Sequence, residues 1–456
     1  MPPSSDVPSL APDSTPEVVV EGDATPAATS PNGVVELPAT GTGIRRRLRR
    51  QRKQRLTKVA FGLSLVMLLL SIPALGYVGY RAVFNSTAGR RINLPTDPSK
   101  EGYEATVTAT PTDLFLVTDA KGALAGAAVA SLATDQTGTV TGGNLLLLPV
   151  ATFAPPPPAP DAQTLATVWS KGGQASVERA VTMLFGLAFD EVVIIDHARW
   201  ASLVAPVAPI TIDNPDRITE AGANGRTKTV FASGPLHLAA SDVATYFEAR
   251  SPKESELSRL ARQQRLWDAW LAAVRTSADV TSAVPGEVDS GIGRYVRALA
   301  TGKLGLSQLP VLPPAAVDAG TDKEAFTADT GATARLVASI VPYPTGGPDG
   351  GRVRVRLLDG VRQPGLTALV APLLVPDGAE ITIAGNADRF TYDTTQVVYY
   401  DEAFKDAADR FRDALGAGQV VLSNVPNDTN DITVVIGRDF VNIGPSTTVT
   451  TGGSGG

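Results

Sequence analysis

Three arginines near the middle of the chain are the side chains best suited to chemistry. Arg259 and Arg262 are three residues apart, so a helix places them on one face, and Arg250 precedes that helix. The same stretch predicts one apolar helical stripe, formed by Leu257, Leu260, Ala261, Trp267, Leu271 and Val274. Guanidinium groups held on packed elements bind phosphates through paired hydrogen bonds. We therefore expect Arg250, Arg259 and Arg262 to bind phosphate, although arginines on helix faces are more commonly solvated.

The cysteine and histidine content excludes several kinds of site. The chain has no cysteine, so disulfide bonds, thiolate nucleophiles and cysteine metal ligands are ruled out. His197 and His237 are the two histidines of the chain and lie far apart in sequence, which excludes a histidine-rich metal site. We expect each of them to be structural or exposed, and we expect no metal ligands.

The first 80 residues predict a membrane anchor. Residues 1–44 contain six acidic side chains and no lysine or arginine, and the tail 1–58 ends in a basic block with nine positive charges. Residues 59–80 are predicted to be a transmembrane helix, because twenty uncharged residues span about 30 Å as a helix. Basic residues before the span place the N-terminus in the cytoplasm and the rest of the chain outside.

The region after the anchor is acidic, which argues against nucleic acid as a partner. The whole chain carries a formal charge of −6, although the tail before the span contributes more positive than negative charge. We therefore predict a single-pass protein of the cell membrane with extracytoplasmic domains and no nucleic-acid partner.

The extracytoplasmic part is predicted to contain two domains. Residues 105–343 alternate strand and helix patterns, which indicates an α/β domain with a mixed sheet covered by helices. Residues 352–440 have the order β-α-β-β-α-β and predict a small α+β domain. Polar and glycine-rich segments connect or follow these domains, at 81–104, 344–351 and 441–456. We expect the two domains to fold separately, because the segment between them has few apolar side chains to bury.

The stretch around the arginines resembles the LytR–CpsA–Psr family of cell-envelope proteins. The family pattern is carried by Gly234, Leu236, Leu238, Ala244, Tyr246, Arg250, Glu256, Arg259, Arg262, Gln263 and Gln264. Residues 352–440 resemble the LytR C-terminal domain that is often attached to this family. The resemblance implies an extracytoplasmic α/β domain that binds a polyprenyl pyrophosphate. Active members transfer a glycopolymer from that lipid to the cell wall.

The sequence departs from the family where charged groups are expected. The strand-end motif, Pro-Arg-Asp-Thr in active members, is matched by Pro149, Val150, Ala151 and Thr152. Scission at a pyrophosphate needs charge neutralised on the leaving phosphate, and losing one preorganised donor typically costs about 10²–10³ in rate. The loss of an arginine and an aspartate predicts little remaining catalysis.

Other positions of the family motifs also differ in charge from active members. The earlier motif should fall within 123–130, which carries no charge, and Asp119 stands where its first acidic residue is expected. Glu248 stands where the family often has another arginine, and it would repel a phosphate unless Arg250 pairs with it.

Three hypotheses remain open at the level of sequence. The first is a membrane-anchored envelope protein that binds polyprenyl-phosphate-linked glycan, peptidoglycan or an active paralogue without turnover. It has no catalytic residue and no cofactor, and its arginines line the mouth of a long apolar cavity between the sheet and the helix 257–271. The second is an active glycopolymer transferase that moves polyprenyl-pyrophosphate-linked glycan to peptidoglycan and uses magnesium. The third is a wall-associated scaffold without a ligand pocket.

Overall fold

The computed structural model describes residues 95–135, 138–155, 162–222, 226–312, 324–346 and 351–443. Within these ranges no helix is both long and apolar enough to cross a bilayer. The predicted tail 1–58 and the predicted transmembrane helix 59–80 lie outside the described residues, as does the tail from residue 444 onward.

The apolar runs of the first domain form a five-stranded mixed sheet. Its strands are β2 (Thr112–Thr118), β3 (Leu124–Thr134), β4 (Val140–Leu148), β5 (Glu191–Ile195) and β10 (Lys303–Gln308). Their order in the sheet is β10-β4-β3-β2-β5. β3 pairs antiparallel with both of its neighbours, whereas β5 and β10 pair parallel at the two edges.

Helices cover both faces of this sheet. Along β2, Leu114 and Leu116 point into one core, while Phe115 and Val117 point into the other, as the period of two requires. The first core is closed by α1 (Leu165–Phe185) and α7 (Thr330–Ile340). The second is closed by α2 (His197–Val204), α3 (Val243–Glu248), α4 (Glu256–Arg275), α5 (Val280–Ala283) and α6 (Gly291–Thr301). The mixed sheet covered by helices is thus confirmed.

Three short antiparallel strand pairs complete the first domain. β6 (Ile210–Asn214) pairs antiparallel with β9 (Gly234–Leu238), and β7 (Ile218–Ala221) pairs antiparallel with β8 (Thr227–Phe231). These two ladders lie between α2 and α3 in the chain and bring the β7–β8 hairpin beside α4. A two-residue ladder, β11 (Val311–Leu312) with β12 (Thr327–Ala328), precedes α7.

The C-terminal region forms a six-stranded sheet. Its strands are β1 (Glu104–Thr106), β13 (Val353–Asp359), β14 (Ala379–Asn386), β15 (Gln396–Tyr399), β16 (Gln419–Leu422) and β17 (Ile432–Ile436). Their order in the sheet is β1-β14-β13-β17-β15-β16. Its helices are α8 (Leu366–Leu374), α9 (Lys405–Leu415) and α10 (Arg438–Ile443). The predicted strand order omitted β16, and it also omitted β1, which comes from residues near the start of the first domain.

Candidate functional site

Helix α4 carries the predicted phosphate-binding arginines, and its ends are well defined. The Ser255 hydroxyl accepts a hydrogen bond from the amide of Ser258 and so caps the N-terminus. The predicted helix is confirmed, and its apolar stripe is buried except for Leu257, which is exposed, and Ala261, which is half-buried. The stripe packs against the sheet, and it brings Arg259 and Arg262 to the buried side of the helix.

Arg259 is buried and paired within its own helix. It is 7% exposed, and Glu256, one turn earlier, is 3% exposed. The Nε of Arg259 donates to Oε2 of Glu256 at 3.1 Å, and Nη2 donates to Oε1 at 2.7 Å. Two parallel hydrogen bonds of this kind compensate both buried charges. The Nε and Nη2 donors of Arg259 are therefore occupied by Glu256 in this structure.

Arg262 is buried and paired with a loop. It is 4% exposed, and its Nη2 lies 3.0 Å from Oε1 of Glu254. Its Nη1 donates to the carbonyl oxygen of Tyr246 at 2.6 Å, and its Nη2 also donates to the carbonyl oxygen of Ala249. The guanidinium carbon lies 5.3 Å from the centre of the Tyr246 ring. Arg262 thus joins α3, the following loop and α4.

Arg250 is the most accessible of the three arginines. Its side chain is 44% exposed. Its Nη2 donates to Oε2 of Glu324 at 3.2 Å, and its Nε donates to the carbonyl oxygen of Glu254. Its Nη1 lies 3.7 Å from the Glu256 carboxylate. Glu324 also accepts a hydrogen bond from the amide of Glu256 at 2.6 Å. The structure therefore brings the three arginines together and balances them with three glutamates.

Aromatic rings fill the space between the sheet and α4. Trp267 stacks on Phe115 of β2 with ring centres 6.0 Å apart, and Trp200 lies 5.1 Å from Trp267 and 5.4 Å from Trp270. All four side chains are 1% exposed or less. Among the described residues, these rings occupy the place where the sequence predicted a long apolar cavity.

The glutamine of the arginine motif fixes α4 to the sheet. The Nε2 of Gln263 donates to the carbonyl oxygens of Ala125 at 3.0 Å and Phe247 at 3.2 Å. A Cβ at Gly126 would lie 2.6 Å from the Phe247 ring, so the close approach of β3 and α3 requires glycine there. This motif residue serves packing in this structure.

At the strand end, Val150 is buried and Ala151 is half-buried, and both side chains are apolar. Val150 is 6% exposed, and its carbonyl oxygen accepts a hydrogen bond from the amide of Ala166. The carbonyl oxygen of Ala151 accepts one from the amide of Phe326. The Thr152 hydroxyl is buried and has no hydrogen-bond partner among the described residues. The segment predicted to hold the earlier motif became β3, which is buried from Leu124 to Ala130. Across the described parts of the chain, no cluster of three histidine or acidic side chains is placed to hold a metal.

Glu248 has a different partner from the one considered in the sequence. Its Oε2 lies 2.8 Å from Nε2 of His197 and accepts a hydrogen bond from the amide of Ala120. Asp119 accepts hydrogen bonds from the backbone of its own turn. The other histidine, His237, bonds through Nδ1 to the hydroxyl of Thr211. These groups therefore hold loops together in this structure.

A cavity of about 720 Å³ lies on the other side of Arg262 and was not predicted from the sequence. The β7–β8 hairpin, the loop 251–255 and the exposed face of α4 form its walls. Three exposed cations, Arg217, Lys253 and Arg265, line it and make no ion pair among the described residues. We call this space the cationic cavity. The one feature of the sequence that could have indicated a cationic surface here is the i, i+3 spacing of Arg262 and Arg265.

The hairpin that walls the cationic cavity is held by Tyr246. Its hydroxyl donates to Oδ1 of Asn214 at 3.0 Å, and Nδ2 of Asn214 donates to the carbonyl oxygens of Asp216 and Ala232. Burial raises the pKa of Tyr246 to about 12, so the hydroxyl keeps its proton and remains a donor. The amide of Thr219 also donates to the hydroxyl of Ser251.

Comparisons with known proteins match the two domains separately. Residues 99–290 match the profile of the LytR_cpsA_psr family. Residues 352–440 match the profile described as LytR cell envelope-related transcriptional attenuator. A comparison with curated proteins found no match.

Solved structures with low sequence identity are similar to about half of the chain. TagV of B. subtilis is 16% identical, covers 51% of this chain and 96% of its own, and has a TM-score of 0.40. A LytR-Csp2A-Psr enzyme from Actinomyces oris is 19% identical over 52% of this chain and 93% of its own, with a TM-score of 0.38. A structure of TagT bound to LIIa-WTA is 17% identical over 54% of this chain and 92% of its own, with a TM-score of 0.37. The two profile matches identify the chain as a member of the LytR–CpsA–Psr family that carries a LytR C-terminal domain.

Proposed function

We propose that this chain is a non-catalytic cell-envelope protein that binds a polyprenyl-phosphate-linked glycan without turnover. The neutralised arginine cluster is the observation that carries this proposal. Each arginine that could stabilise a leaving phosphate already contacts a glutamate. Val150 and Ala151 add no charge at the strand end. Cleavage of a pyrophosphate needs positive charge placed on the leaving group, and each guanidinium of this cluster shares its charge with a carboxylate.

In this proposal Arg250 makes the direct contact with phosphate. Its guanidinium is the exposed member of the cluster, and the Glu324 carboxylate that it contacts is also partly exposed, at 36% of its side chain. The phosphate group of the lipid replaces Glu324 on Arg250. Arg259 and Arg262 remain paired with their glutamates and hold the loop and helix that carry Arg250.

The anchor and the partners belong to the same proposal. A single helix at 59–80 holds the protein in the cell membrane, with residues 1–58 in the cytoplasm and the domains outside. The uncharged span and the basic block before it support this topology. Partners are then a polyprenyl phosphate lipid, the wall glycan or an active paralogue. Protease treatment of intact cells should cleave the chain after residue 81 and spare the N-terminal tail; the reverse pattern would contradict it.

An active transferase remains the alternative function. Glu254, Glu256 and Glu324 offer carboxylate oxygens beside the arginines, and oxygen ligands suit magnesium. Each of these carboxylates is, however, already held by an arginine. Magnesium would have to displace those contacts, which makes binding without turnover the better supported function.

Binding of a polyprenyl monophosphate in detergent micelles tests the role of Arg250. Arg250→Ala should weaken binding about tenfold, because a charged hydrogen bond contributes about 1.5–3 kcal/mol. Glu324→Gln should tighten binding several-fold, because the competing charge on Arg250 is removed. Arg389→Ala and Glu402→Gln, both on the C-terminal domain surface, are matched controls. Unchanged affinity in both test variants would contradict the proposal.

A further inference from the structure

The outer edge of the C-terminal sheet carries no charged side chain. β16 is the last strand of this sheet and pairs on one side with β15, and among the described residues no strand pairs with its other side. The other three edge strands of the two large sheets each contain a charged side chain, Glu104 in β1, Glu191 in β5 and Lys303 in β10. β16 contains no charged residue, no proline and no bulge. These features normally keep an edge from pairing with another strand, so β16 is unprotected.

Apolar side chains are exposed along this edge. Val421 is 36% exposed, Leu422 is 42% exposed, and Val425, just beyond the strand, is 63% exposed. Val420 packs against the core that α9 covers, so the period of two places Leu422 on that same face and Val421 on the opposite face. An edge with exposed apolar groups on both faces is typical of a contact surface for another protein chain.

The free backbone groups of β16 belong to Val420 and Leu422. The amides of Gln419 and Ser423 donate to carbonyl oxygens at the two ends of β15, both at 2.9 Å. Because the backbone groups of successive residues point to opposite sides of a strand, those of Val420 and Leu422 point away from β15. These two residues therefore offer donors and acceptors to an added strand.

The helix beside this edge has balanced charge. α9 contacts both β15 and β16, and it carries one lysine, two arginines and three aspartates. Its ions pair with one another: Lys405 lies 2.7 Å from Asp409, and Arg412 lies 3.0 Å from Asp409 and 2.7 Å from Asp413. Like charges placed opposite each other prevent association. The uncharged strand and the neutral helix beside it are therefore compatible with a second copy of the same surface.

We propose that β16 pairs antiparallel with β16 of a second copy of this chain and joins the two C-terminal sheets across a two-fold axis. Val420 of each copy faces Leu422 of the other, and each of these pairs exchanges two hydrogen bonds. Val421 faces its own equivalent at the axis, so the exposed apolar groups of the strand meet one another. This register uses both free residues of each strand within the bounds of β16.

The contact is small, and its strength follows from its size. A strand of four residues buries less surface than the standard interface of about 1,600 Å². We therefore expect a dimer that dissociates on dilution. The pairing does not depend on the proposed function, because β16 lies in the C-terminal domain and the arginine cluster lies in the first domain.

Disulfide linkage tests the register, because the chain has no cysteine and a single introduced cysteine can link only to another copy. At Val421 the two Cα atoms lie about 4.5 Å apart in the proposed pair, a distance that a disulfide spans. The full-length protein in detergent is oxidised mildly and followed on non-reducing gels. Val421→Cys should form a covalent dimer about tenfold faster than Met183→Cys, whose side chain is 66% exposed on α1.

A proline on the edge separates pairing from chance collision. Leu422→Pro, added to Val421→Cys, removes a donor that points outward and leaves the bonds to β15 in place, and edge strands tolerate proline in this position. It should slow the linkage about tenfold, because the dimer loses one hydrogen bond from each copy. Circular dichroism checks that this variant keeps its fold.

Light scattering over a concentration series gives a second measurement on the same detergent-solubilised protein. The wild type should change from the mass of a monomer to that of a dimer as its concentration rises. Val421→Lys places a charge on the edge and should stay monomeric, whereas Val288→Lys, at a valine that is 51% exposed in the first domain, should dimerise like the wild type. Linkage of Val421→Cys no faster than that of Met183→Cys would overturn the proposal. A wild type that remains monomeric at every concentration would also overturn it and assign the edge to a different partner.

Discussion

Asp113 is a buried carboxyl group at the start of β2. It is 1% exposed, and its Oδ2 has no hydrogen-bond partner among the described residues. Its register partner on the neighbouring strand is Glu191, so two acidic side chains face each other. Burial and, after it, repulsion by Glu191 raise the pKa of Asp113 to about 7. In the unfolded chain an aspartate titrates near pH 3.9.

This difference predicts a specific pH dependence of stability. Between about pH 4 and 7 the folded protein holds a proton that the unfolded chain has released, so the contribution of Asp113 to stability falls as the pH rises. Asp113→Asn should remove that fall. It should match the wild type near pH 4 and exceed its free energy of unfolding at pH 8 by up to about 4 kcal/mol.

Urea denaturation at pH 4.5 and pH 8 measures this effect. Asp268→Asn, which changes an exposed aspartate on α4, serves as the control and should keep the wild-type pH dependence. An Asp113→Asn protein with the wild-type pH dependence would show that the carboxyl group ionises normally.

The arginine cluster shows which residue-level features the sequence could predict. The motif spacing predicted that Arg259 and Arg262 share a helix face, and the structure confirms it. Their burial was not predicted, because it depends on carboxylates supplied from elsewhere. Glu254, the partner of Arg262, comes from the loop before α4. Glu324, the partner of the exposed Arg250, comes from a segment far along the chain. Only Glu256, at i, i+3 from Arg259, carried a local signal of pairing.

At the scale of elements, the packing of α4 on the sheet positions the arginine cluster. Trp267 lies at its centre and contacts Phe115 and Trp200. Because this residue is 1% exposed, Trp267→Ala should remove a full aromatic side chain from the core. The free energy of unfolding should fall by about 3–5 kcal/mol.

Chemical denaturation followed by circular dichroism checks the role of Trp267. Met183→Ala, which truncates a side chain that is 66% exposed on α1, is the control and should change stability by less than about 0.5 kcal/mol. A similarly small change for Trp267→Ala would contradict the packing described for α4.

Local pattern explains which elements were predicted. The central strands are continuous apolar runs, and α4 has a clear helical period, so both were recognised. β1 has three residues and β16 has four, and both lie at sheet edges where burial is incomplete. β1 pairs with β14, which is some 280 residues away in sequence, and no local pattern encodes that pairing. Helix α1 is kinked at Gly173, whose positive φ is not helical.

At the scale of the molecule, Arg352 connects the two matched regions. Its Nη1 donates to the carbonyl oxygens of Val375 at 2.9 Å and Ala379 at 3.1 Å. Its Nε and Nη2 donate to those of Gly186 and Phe185 at the end of α1. Burial lowers the pKa of Arg352 to about 10, which still leaves it charged at neutral pH. One side chain therefore satisfies carbonyl groups on both sides of the segment 344–351.

Arg352→Met keeps most of the side-chain volume and removes every donor. It should lower the free energy of unfolding by about 2–4 kcal/mol, because several carbonyl groups lose their partners. Hydrogen exchange should accelerate near residues 185–188 and 375–379. Arg389→Met, on a surface-exposed arginine, is the matched control. Unchanged exchange at both segments would show that Arg352 does not couple these regions.

Separate folding of 105–343 and 352–440 stays a prediction, and the structure indicates how to design its test. β1 supplies an edge strand to the C-terminal sheet, and Arg356 pairs with Glu104 of that strand. A C-terminal fragment that begins at residue 352 would leave β14 without this neighbour. The fragments should therefore be compared with and without a peptide that covers residues 99–110.

The absence of turnover is the central claim, and one measurement tests it most directly. The full-length protein in detergent is incubated with a polyprenyl-pyrophosphate-linked glycan, a peptidoglycan acceptor and magnesium, and the release of polyprenyl phosphate is followed over time. The neutralised arginines and the apolar strand end predict release no faster than in buffer alone. Magnesium-dependent release that requires the protein and is lost in Arg250→Ala would contradict the account and establish the chain as an active transferase.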